Sequence, residues 1–211
     1  MQSGILSTKI DSPSWRKKAV ATRGLPTGIE RIILIRNGKQ ELSEFPDLIR
    51  PLSSEGIAQA EKIRQWLWED EISMVLTSPA TRSMQAAKIV GRGIKPIVIP
   101  SLYESPVEGD KAEFERLHSL LNYHPLREYF NLDQNHIFPR YADIVMAEFY
   151  QYCVSDQPYP KKNIVVCGHA ILLNAFAFGM TDNELALEIC LGYGEAMTIA
   201  KDGKIRHTTF I

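Results

Sequence analysis

The sequence predicts an α/β fold in which helices cover both faces of a mostly parallel sheet, giving three layers. Four short apolar runs rich in β-branched residues each end in a turn or lead straight into a helical pattern. Such runs are typical of strands that are buried on both faces of a parallel sheet. Two further strand-like runs lie on either side of Asp202 and Gly203, and this arrangement predicts a C-terminal β-hairpin.

Length and composition fit a single globular domain. The chain has 211 residues, of which 45% are hydrophobic and 23% charged, which is ordinary for a protein with a real core. Residues 1–28, which are basic and rich in small polar residues, are interpreted as an N-terminal extension, and residues 29–211 as the domain. The formal net charge of −1 gives no reason to expect binding to nucleic acid or to a membrane.

The cysteines and the apolar stretches indicate where the protein works. Three scattered cysteines fit neither a disulfide framework nor a zinc motif. Cys167 lies in an apolar run and is interpreted as a buried reduced thiol, which fits a cytoplasmic protein. No apolar stretch reaches the roughly 18 residues that a membrane span requires. Nothing in the sequence predicts an oligomeric state.

The first predicted strand covers residues 32–35 and ends at Arg36, Asn37 and Gly38. In open α/β sheets, ligands bind just beyond the carboxyl ends of the strands. An arginine at that place can direct two donors onto a phosphate or a carboxylate. Gly38 would allow a positive φ or a close approach to a ligand. A surface arginine in an ordinary turn would look the same, so this stretch alone does not establish a site.

A polar loop, two helices and the second strand follow. Residues 40–50 are interpreted as the loop, and Ser53 as the N-cap of the first helix. The second strand, residues 74–77, runs directly into Ser78. Ser78 is predicted to cap the next helix, with proline at its first position. Arg82 then falls in the first turn of that helix and faces the same region as the turn after the first strand.

Two more strand ends contribute ionisable side chains. Residues 96–100 form a third strand, whose flanking prolines suggest a sheet edge, and Glu104 follows it. Residues 109–160 depart from the alternation of strand and helix, and they are interpreted as a helical insertion over the active site that sets specificity. The fourth strand, residues 163–168, ends at His169.

These strand ends should bring Arg36, Arg82, Glu104 and His169 to one crevice. Two arginines can neutralise a phosphate dianion, and a histidine adds a donor or a proton relay near neutral pH. A carboxyl group can protonate a leaving alkoxide. Four independent signals at strand ends therefore predict a site for a small phosphorylated or other anionic ligand.

The motifs resemble those of the histidine phosphatase superfamily, also called phosphoglycerate mutase-like. The resemblance covers about residues 30–210, with all motifs in order and at suitable spacing. The matching segments are Arg36-Asn37-Gly38 for Arg-His-Gly, 51–60 for Pro-Leu-Thr-x-x-Gly-x-x-Gln-Ala, 78–87 for Ser-Pro-x-x-Arg-x-x-Gln-Thr-Ala, 102–104 for Leu-x-Glu, and Gly168-His169 for Gly-His or Ser-His.

The resemblance implies a phosphoric monoester hydrolase that needs neither a metal nor an organic cofactor. In the family, the histidine of the Arg-His-Gly turn attacks phosphorus and becomes a phosphohistidine. Arg36, Arg82 and His169 would hold the phosphoryl oxygens, with Gly38 in the phosphate-binding turn. Glu104 would be the general acid to the leaving group and then the general base to water.

The sequence departs from this pattern at the nucleophile, because position 37 is Asn. The carboxamide nitrogen is delocalised into its carbonyl group, so Asn37 can imitate a ring nitrogen in shape and hydrogen bonding but not as a nucleophile. Loss of a covalent nucleophile typically costs several orders of magnitude in rate. The family reaction should therefore be absent or nearly absent in the chain as written.

Three hypotheses remain open. The chain is a phosphomonoesterase whose histidine was replaced by Asn37, or a natural pseudoenzyme that binds a phosphorylated ligand or partner. The third is an enzyme that uses the same anion pocket for other chemistry, with Glu104 and His169 as acid and base. The retained arginines fit all three hypotheses.

Overall fold

The computed structural model describes residues 24–42, 44–105, 107–154 and 162–210. Residues 1–23, the larger part of the predicted N-terminal extension, lie outside the described residues. A six-stranded sheet lies at the centre, with the strand order β3-β2-β4-β1-β5-β6. The strands are β1 (Arg31–Arg36), β2 (Ile72–Thr77), β3 (Ile97–Val98), β4 (Asn163–Gly168), β5 (Ala196–Ala200) and β6 (Ile205–Thr208).

The sheet is mixed, with a parallel part and an antiparallel part. Strands β3, β2, β4 and β1 run parallel to one another. Strand β5 pairs antiparallel with β1 and with β6. The predicted hairpin therefore forms, and Gly203 in its turn has a φ of 76°, which suits a residue without a Cβ. These findings confirm the predicted α/β fold with a mostly parallel sheet.

Helices pack on both faces of the sheet, as the fully apolar central strands require. The side chains of a strand point alternately to its two faces. Ile32 and Leu34 of β1 face one core cluster, and Ile33 and Ile35 face the other; none of the four exposes any surface. The helices are α1 (Ser54–Trp66), α2 (Thr81–Val90), α3 (Asp110–Leu121), α4 (Leu126–Leu132), α5 (Ile137–Val154), α6 (Ala170–Thr181) and α7 (Leu185–Glu188).

Helices α3, α4 and α5 occupy most of the region interpreted as an insertion, of which residues 155–160 lie outside the described part. Asp133 fixes the start of α5, because its two carboxylate oxygens accept the backbone N–H groups of Ile137 and Phe138 at 2.9 and 3.0 Å. Helices α3 and α5 contribute to the larger core cluster and lie beside the carboxyl ends of the strands. The boundaries of a single domain and of an insertion within it stay predictions.

Helix α2 begins later than the sequence predicts. Its N-cap is Ala80, so the prediction that Ser78 caps it was wrong. The backbone N–H of Ser78 extends the strand ladder by donating to the Cys167 carbonyl at 3.0 Å, and its hydroxyl contacts His169. The chain therefore needs two more residues to turn from the strand into the helix, and Arg82 still falls in the first turn.

None of the helices in the described part of the chain has the length and apolar character needed to cross a membrane. Cys167 is fully buried in β4, and burial raises the pKa of its thiol to about 12. The cytoplasmic location inferred from the cysteines stays a prediction.

Candidate functional site

A cavity of 640 Å³ opens at the carboxyl ends of the parallel strands. Five of the six predicted site residues line it, namely Arg36, Asn37, Arg82, Glu104 and His169. Arg36 is the last residue of β1 and Asn37 directly follows it. Arg82 lies in the first turn of the helix after β2, and His169 directly follows β4. The parallel register of the strands thus brings together side chains that are more than 130 residues apart in sequence.

Arg36 is held between two aromatic rings. Its guanidinium carbon lies 4.0 Å from the centre of the Tyr193 ring and 4.7 Å from that of Tyr123, which places both rings within cation–π range. The Leu191 carbonyl accepts one hydrogen bond from Nη1 at 2.5 Å. Within the described residues, no carboxylate forms an ion pair with Arg36, although only 7% of the residue is exposed. Its positive charge is therefore left for a ligand to neutralise.

Arg82 is engaged by an acidic residue that the sequence analysis treated as part of a loop. Its Nη2 donates to the Asp47 carboxylate at 2.7 Å, and its Nη1 donates to the backbone carbonyl of the same residue. The Tyr103 hydroxyl donates to that carboxylate at 3.0 Å. Arg82 is 6% exposed, so it is buried as deeply as Arg36 but carries its own counter-charge.

Asn37 lies at the position that the resemblance gives to the nucleophile, and it is 2% exposed. The hydrogen-bonding groups around it determine the orientation of its carboxamide. The side-chain nitrogen donates to the Gly168 carbonyl at 2.5 Å, and the side-chain oxygen accepts from Arg82 Nε at 3.3 Å. The side-chain oxygen of Asn37 therefore already accepts a hydrogen bond from a guanidinium. An amide oxygen is not a nucleophile towards phosphorus.

His169 is neutral in this arrangement. A guanidinium only donates hydrogen bonds, so Nδ1 accepts from Arg82 Nη2 at 3.4 Å, and Nε2 carries the proton that faces Ser78 Oγ at 3.1 Å. Desolvation, together with the positive charges of Arg82 and Arg36 and against the opposing effect of Asp47, lowers the pKa of His169 to about 3. The histidine is thus a hydrogen-bonding group at neutral pH, and a weaker proton relay than the sequence suggests.

Glu104 lies at the mouth of the cavity, apart from the buried cluster. Its carboxylate is 3.4 Å from Lys111 Nζ, and half of its side chain is exposed. No direct contact joins it to Arg36, Arg82 or His169 among the described residues. Glu104 therefore lines the same cavity as the buried cluster without contacting it, and its role as a general acid stays a prediction.

Gly38 does not line the cavity. Its φ is not positive, and a Cβ on it would lie 2.5 Å from the carbonyl oxygen of Gly56 in α1. In turn, a Cβ on Gly56 would lie 2.1 Å from the carbonyl oxygen of Lys39. Gly38 therefore makes a close approach to helix α1, which fixes the turn that carries Asn37. Its contact with a phosphate ligand stays a prediction.

The sequence analysis missed Asp47, Tyr103, Tyr123 and Tyr193, which surround the two arginines. They belong to loops or helix ends, where no periodic pattern marks a side chain as facing a site. Tyr103 had the best signal, because it directly precedes Glu104. Apolar side chains from the region of α3, α5 and α6 form another part of the wall; they include Phe114, Ile137, Phe138, Tyr141, Ile171 and Leu172. Polar and charged residues, among them Asp110, Lys111 and Glu115, also line the cavity. No cluster of His, Cys, Asp and Glu suited to a metal occurs in the described part of the chain.

Known proteins resemble this chain in sequence pattern and in fold. A family model described as histidine phosphatase superfamily (branch 1) matches residues 32–134. No curated protein sequence matches the chain significantly. The solved phosphoserine phosphatase of Entamoeba histolytica, in complex with 3-phosphoglyceric acid, has a TM-score of 0.59 and 18% identity, with 85% of this chain and 95% of that chain covered.

Two further solved structures share the fold. A histidine-to-alanine mutant of the same Entamoeba phosphatase, in complex with phosphoserine, has a TM-score of 0.56 and 18% identity over 85% of this chain and 95% of that chain. A mycobacterial glucosyl-3-phosphoglycerate phosphatase has a TM-score of 0.59 and 15% identity over 86% of this chain and 98% of that chain. The chain therefore carries the sequence pattern of the histidine phosphatase superfamily over residues 32–134 and shares its fold with solved phosphatases, which confirms the resemblance drawn from its motifs.

Proposed function

We propose that the chain is a histidine phosphatase-type protein that binds a small phosphorylated ligand and is catalytically impaired by Asn37. The observation that carries the proposal is the meeting of Arg36, Arg82 and His169 around one cavity whose reacting position holds an amide. A phosphate dianion would supply the counter-charge that the buried Arg36 lacks among the described residues. The ligand is then held by the same groups that would stabilise a transferring phosphoryl group in an active relative.

Charge supports phosphate as the ligand group. A buried ion is costly unless it is paired. Among the described residues, the contacts given for the Arg36 guanidinium are a backbone carbonyl and two aromatic rings, with no carboxylate. A guanidinium fork matches phosphate oxygens in geometry as well as in charge. The aromatic rings of Tyr123 and Tyr193 hold the fork in place, so little side-chain freedom is lost when an anion binds.

Asn37 is compatible with binding and incompatible with the family reaction. Its carboxamide occupies the space at the end of β1 and makes two hydrogen bonds, so the pocket is neither collapsed nor missing a residue. A precedent in the same fold is the histidine-to-alanine mutant of the Entamoeba phosphatase, which is described with phosphoserine bound. Replacement of a histidine in a protein of this fold is therefore compatible with a bound phosphomonoester.

Ser78 and His169 do not form a substitute nucleophile and base. A general base must accept the serine proton, but His169 Nδ1 accepts from Arg82 and Nε2 is the protonated nitrogen that faces Ser78. Its pKa of about 3 also makes it a poor base near neutral pH. This arrangement disfavours the hypothesis of other chemistry built on His169, so we retain phosphate binding as the function.

Titration calorimetry with inorganic phosphate tests the proposal. The wild-type protein should bind phosphate, and Arg36→Ala should weaken binding by about 30-fold, because hydrogen bonds to charged groups contribute about 2 kcal/mol. Arg64→Ala is the matched control: Arg64 is partly exposed on α1, pairs with Glu61 and does not line the cavity, so its loss should leave phosphate affinity unchanged. Absence of phosphate binding to the wild-type protein, or equal affinities in all three proteins, would overturn the assignment of the site.

A further inference from the structure

The two arginines of the site differ in one respect that the proposed function does not explain. Asp47 accepts hydrogen bonds from Arg82 Nη2 at 2.7 Å and from the Tyr103 hydroxyl at 3.0 Å, and its other oxygen lies 3.6 Å from Arg50 Nη1. A carboxylate thus already lies on the guanidinium that a phosphate group would use.

The donors of Arg82 are almost fully occupied. A guanidinium has five N–H groups. Nε donates to the Asn37 oxygen, Nη1 to the Asp47 carbonyl, and Nη2 to the Asp47 carboxylate and to His169 Nδ1. Only one N–H group remains without one of these partners. A phosphate group that takes two hydrogen bonds from Arg82 must therefore displace at least one of these contacts. Asp47 is the most exposed of the three partner residues, with 49% of its side chain exposed, so its contacts are the most accessible to a ligand.

The segment that carries Asp47 is held to the protein mainly by polar contacts. It includes a 3₁₀ turn at Asp47–Ile49 that contains no buried residue. Phe45, Leu48 and Ile49 are 56%, 41% and 51% exposed, so the segment gains little from the hydrophobic effect in this position. Contacts that are mostly polar and partly exposed are individually weak, and the segment can therefore be exchanged for a ligand at low cost.

Asp47 remains charged under ordinary conditions. Desolvation disfavours its ionised form, but the hydrogen bond and charge of Arg82, with the Tyr103 hydroxyl and the nearby His169, outweigh that effect and lower the pKa of the carboxyl. Desolvation and the Asp47 charge raise the pKa of Tyr103 to about 12, so the phenol keeps the proton that it donates. Both partners therefore stay in the states that the ion pair requires at neutral pH.

We propose that Asp47 is a built-in anion that occupies Arg82 in the unliganded protein, so that a phosphate ligand binds in exchange for it. The inference rests on the proposed function and adds a residue that determines affinity. Arg82 is paired with an anion both before and after the exchange, so a buried guanidinium is never left without a counter-charge. A phosphate dianion wins the exchange because it brings two charges and three acceptor oxygens, and because it reaches Arg36 as well.

Phosphate titrations of Asp47→Asn test the exchange. The amide keeps the shape of the side chain and removes its charge, so phosphate should bind about tenfold more tightly than to the wild-type protein, a change that corresponds to about 1.4 kcal/mol. Glu44→Gln is the matched control, because it removes the same charge from an exposed side chain three residues away. Its phosphate affinity should equal that of the wild-type protein.

The outcomes separate this inference from the proposed function. If phosphate binds the wild-type protein and Asp47→Asn equally well, or if Glu44→Gln tightens binding by the same factor, the inference is overturned and the anion site stands. If phosphate binds none of the three proteins, the proposed function is overturned and the inference falls with it.

Hydrogen exchange gives a readout that a general charge effect would not change. Phosphate should increase amide exchange in residues 44–50 of the wild-type protein, because the segment loses its contact with Arg82, while it protects the ends of β1 and β4. In Asp47→Asn the segment should exchange rapidly with or without phosphate. Protection of residues 44–50 by phosphate would contradict the displacement.

Discussion

The cavity has a floor and a rim that are built differently. The floor consists of Arg36, Asn37, Arg82 and His169, which lie at strand ends or in the first turn of a helix and are largely buried. The rim residues Asp47 and Glu104 lie in loops, and the exposed fractions of their side chains are 49% and 51%. The floor is positioned by the backbone of the sheet, whereas the rim is positioned by ion pairs that a ligand or the solvent can replace.

Under the proposed function, this difference would separate recognition of phosphate at the floor from control over its access at the rim. A buried charge that loses its partner destabilises the protein by several kcal/mol. The side chains of the floor must therefore keep their positions. An exposed ion pair contributes about 0–1 kcal/mol, so the rim can change its partners during binding. We therefore expect substitutions that disturb the floor to cost stability, and substitutions at the rim to change affinity or rate.

Gly56→Ala should have the largest effect on stability, because it disturbs the support of the floor. The new Cβ would lie 2.1 Å from the Lys39 carbonyl oxygen, and neither backbone can move without shifting the turn at Asn37. We expect the free energy of unfolding, measured with urea, to fall by about 3 kcal/mol, at the upper end of the usual cost of overpacking.

Gly168→Ala is the matched control for that change. Its Cβ would meet the side chain of Leu173 at 3.2 Å, and a side chain can turn away where a backbone carbonyl cannot. The loss of unfolding free energy should be below about 1 kcal/mol, as for substitutions that the surroundings can accommodate. Equal losses in the two variants would show that the contact between Gly56 and Lys39 does not hold the floor in place.

Glu104→Gln is a substitution at the rim. Unlike a substitution that disturbs the floor, it should change the reaction rate and leave the free energy of unfolding nearly unchanged. In an Asn37→His background, the variant should slow an alkyl phosphate such as phosphoserine by about 100-fold, the lower end of the usual range for a general acid. It should slow p-nitrophenyl phosphate much less, because that leaving group needs little protonation. Its unfolding free energy should change by less than about 0.5 kcal/mol, as expected for an exposed ion pair.

The two esters serve as each other's control in this measurement. Equal slowing of both would remove Glu104 from the role of proton donor. Glu108, which is exposed on the same loop, would then be the next residue to test.

The strand ends could be predicted from sequence because their signals are local. Ile32 to Ile35 form an uninterrupted apolar run that only a strand buried on both faces explains, and the residue after such a run must lie at the edge of the sheet. The same argument places His169. The family motifs then add the roles of these positions, which periodicity alone does not supply.

The rim could not be predicted because long-range pairing determines it. Asp47 and Arg82 are 35 residues apart, and nothing in the loop composition indicates which carboxylate meets which arginine. Ser78 shows a related limit: a serine followed by proline reads as a helix N-cap, but the sheet ladder to Cys167 continues through its backbone N–H. In both cases, tertiary contacts decided between locally equivalent arrangements.

The free energy of unfolding should depend on pH because His169 lies in the desolvated floor. Its pKa is about 3 in the folded protein against 6.5 for an ordinary histidine, so between these values the unfolded chain binds more protons. Its contribution to stability is therefore fully present above about pH 6.5 and falls by up to about 1.4 kcal/mol per pH unit as the pH decreases towards 3. Arg82, Arg36 and Asp47 are the charged groups that act on it.

Urea denaturation of the wild-type protein and of His169→Gln at several pH values tests this dependence. The difference in unfolding free energy between the two proteins should shrink as the pH falls from 6.5 to 4. A constant difference over that range would mean that His169 titrates alike in the folded and unfolded chains, which would contradict its desolvated position beside the arginines.

The central claim is that the chain is a phosphatase pocket without its nucleophile, and incubation with p-nitrophenyl phosphate tests it most directly. Asn37→His should form an acid-labile, base-stable phosphoprotein and release phosphate, whereas the parent and the matched amide variant Asn37→Gln should do neither. Hydrolysis by the parent at ordinary enzymatic rates of about 1–1000 per second, or failure of Asn37→His to form the phosphoprotein while it binds phosphate, would contradict the claim.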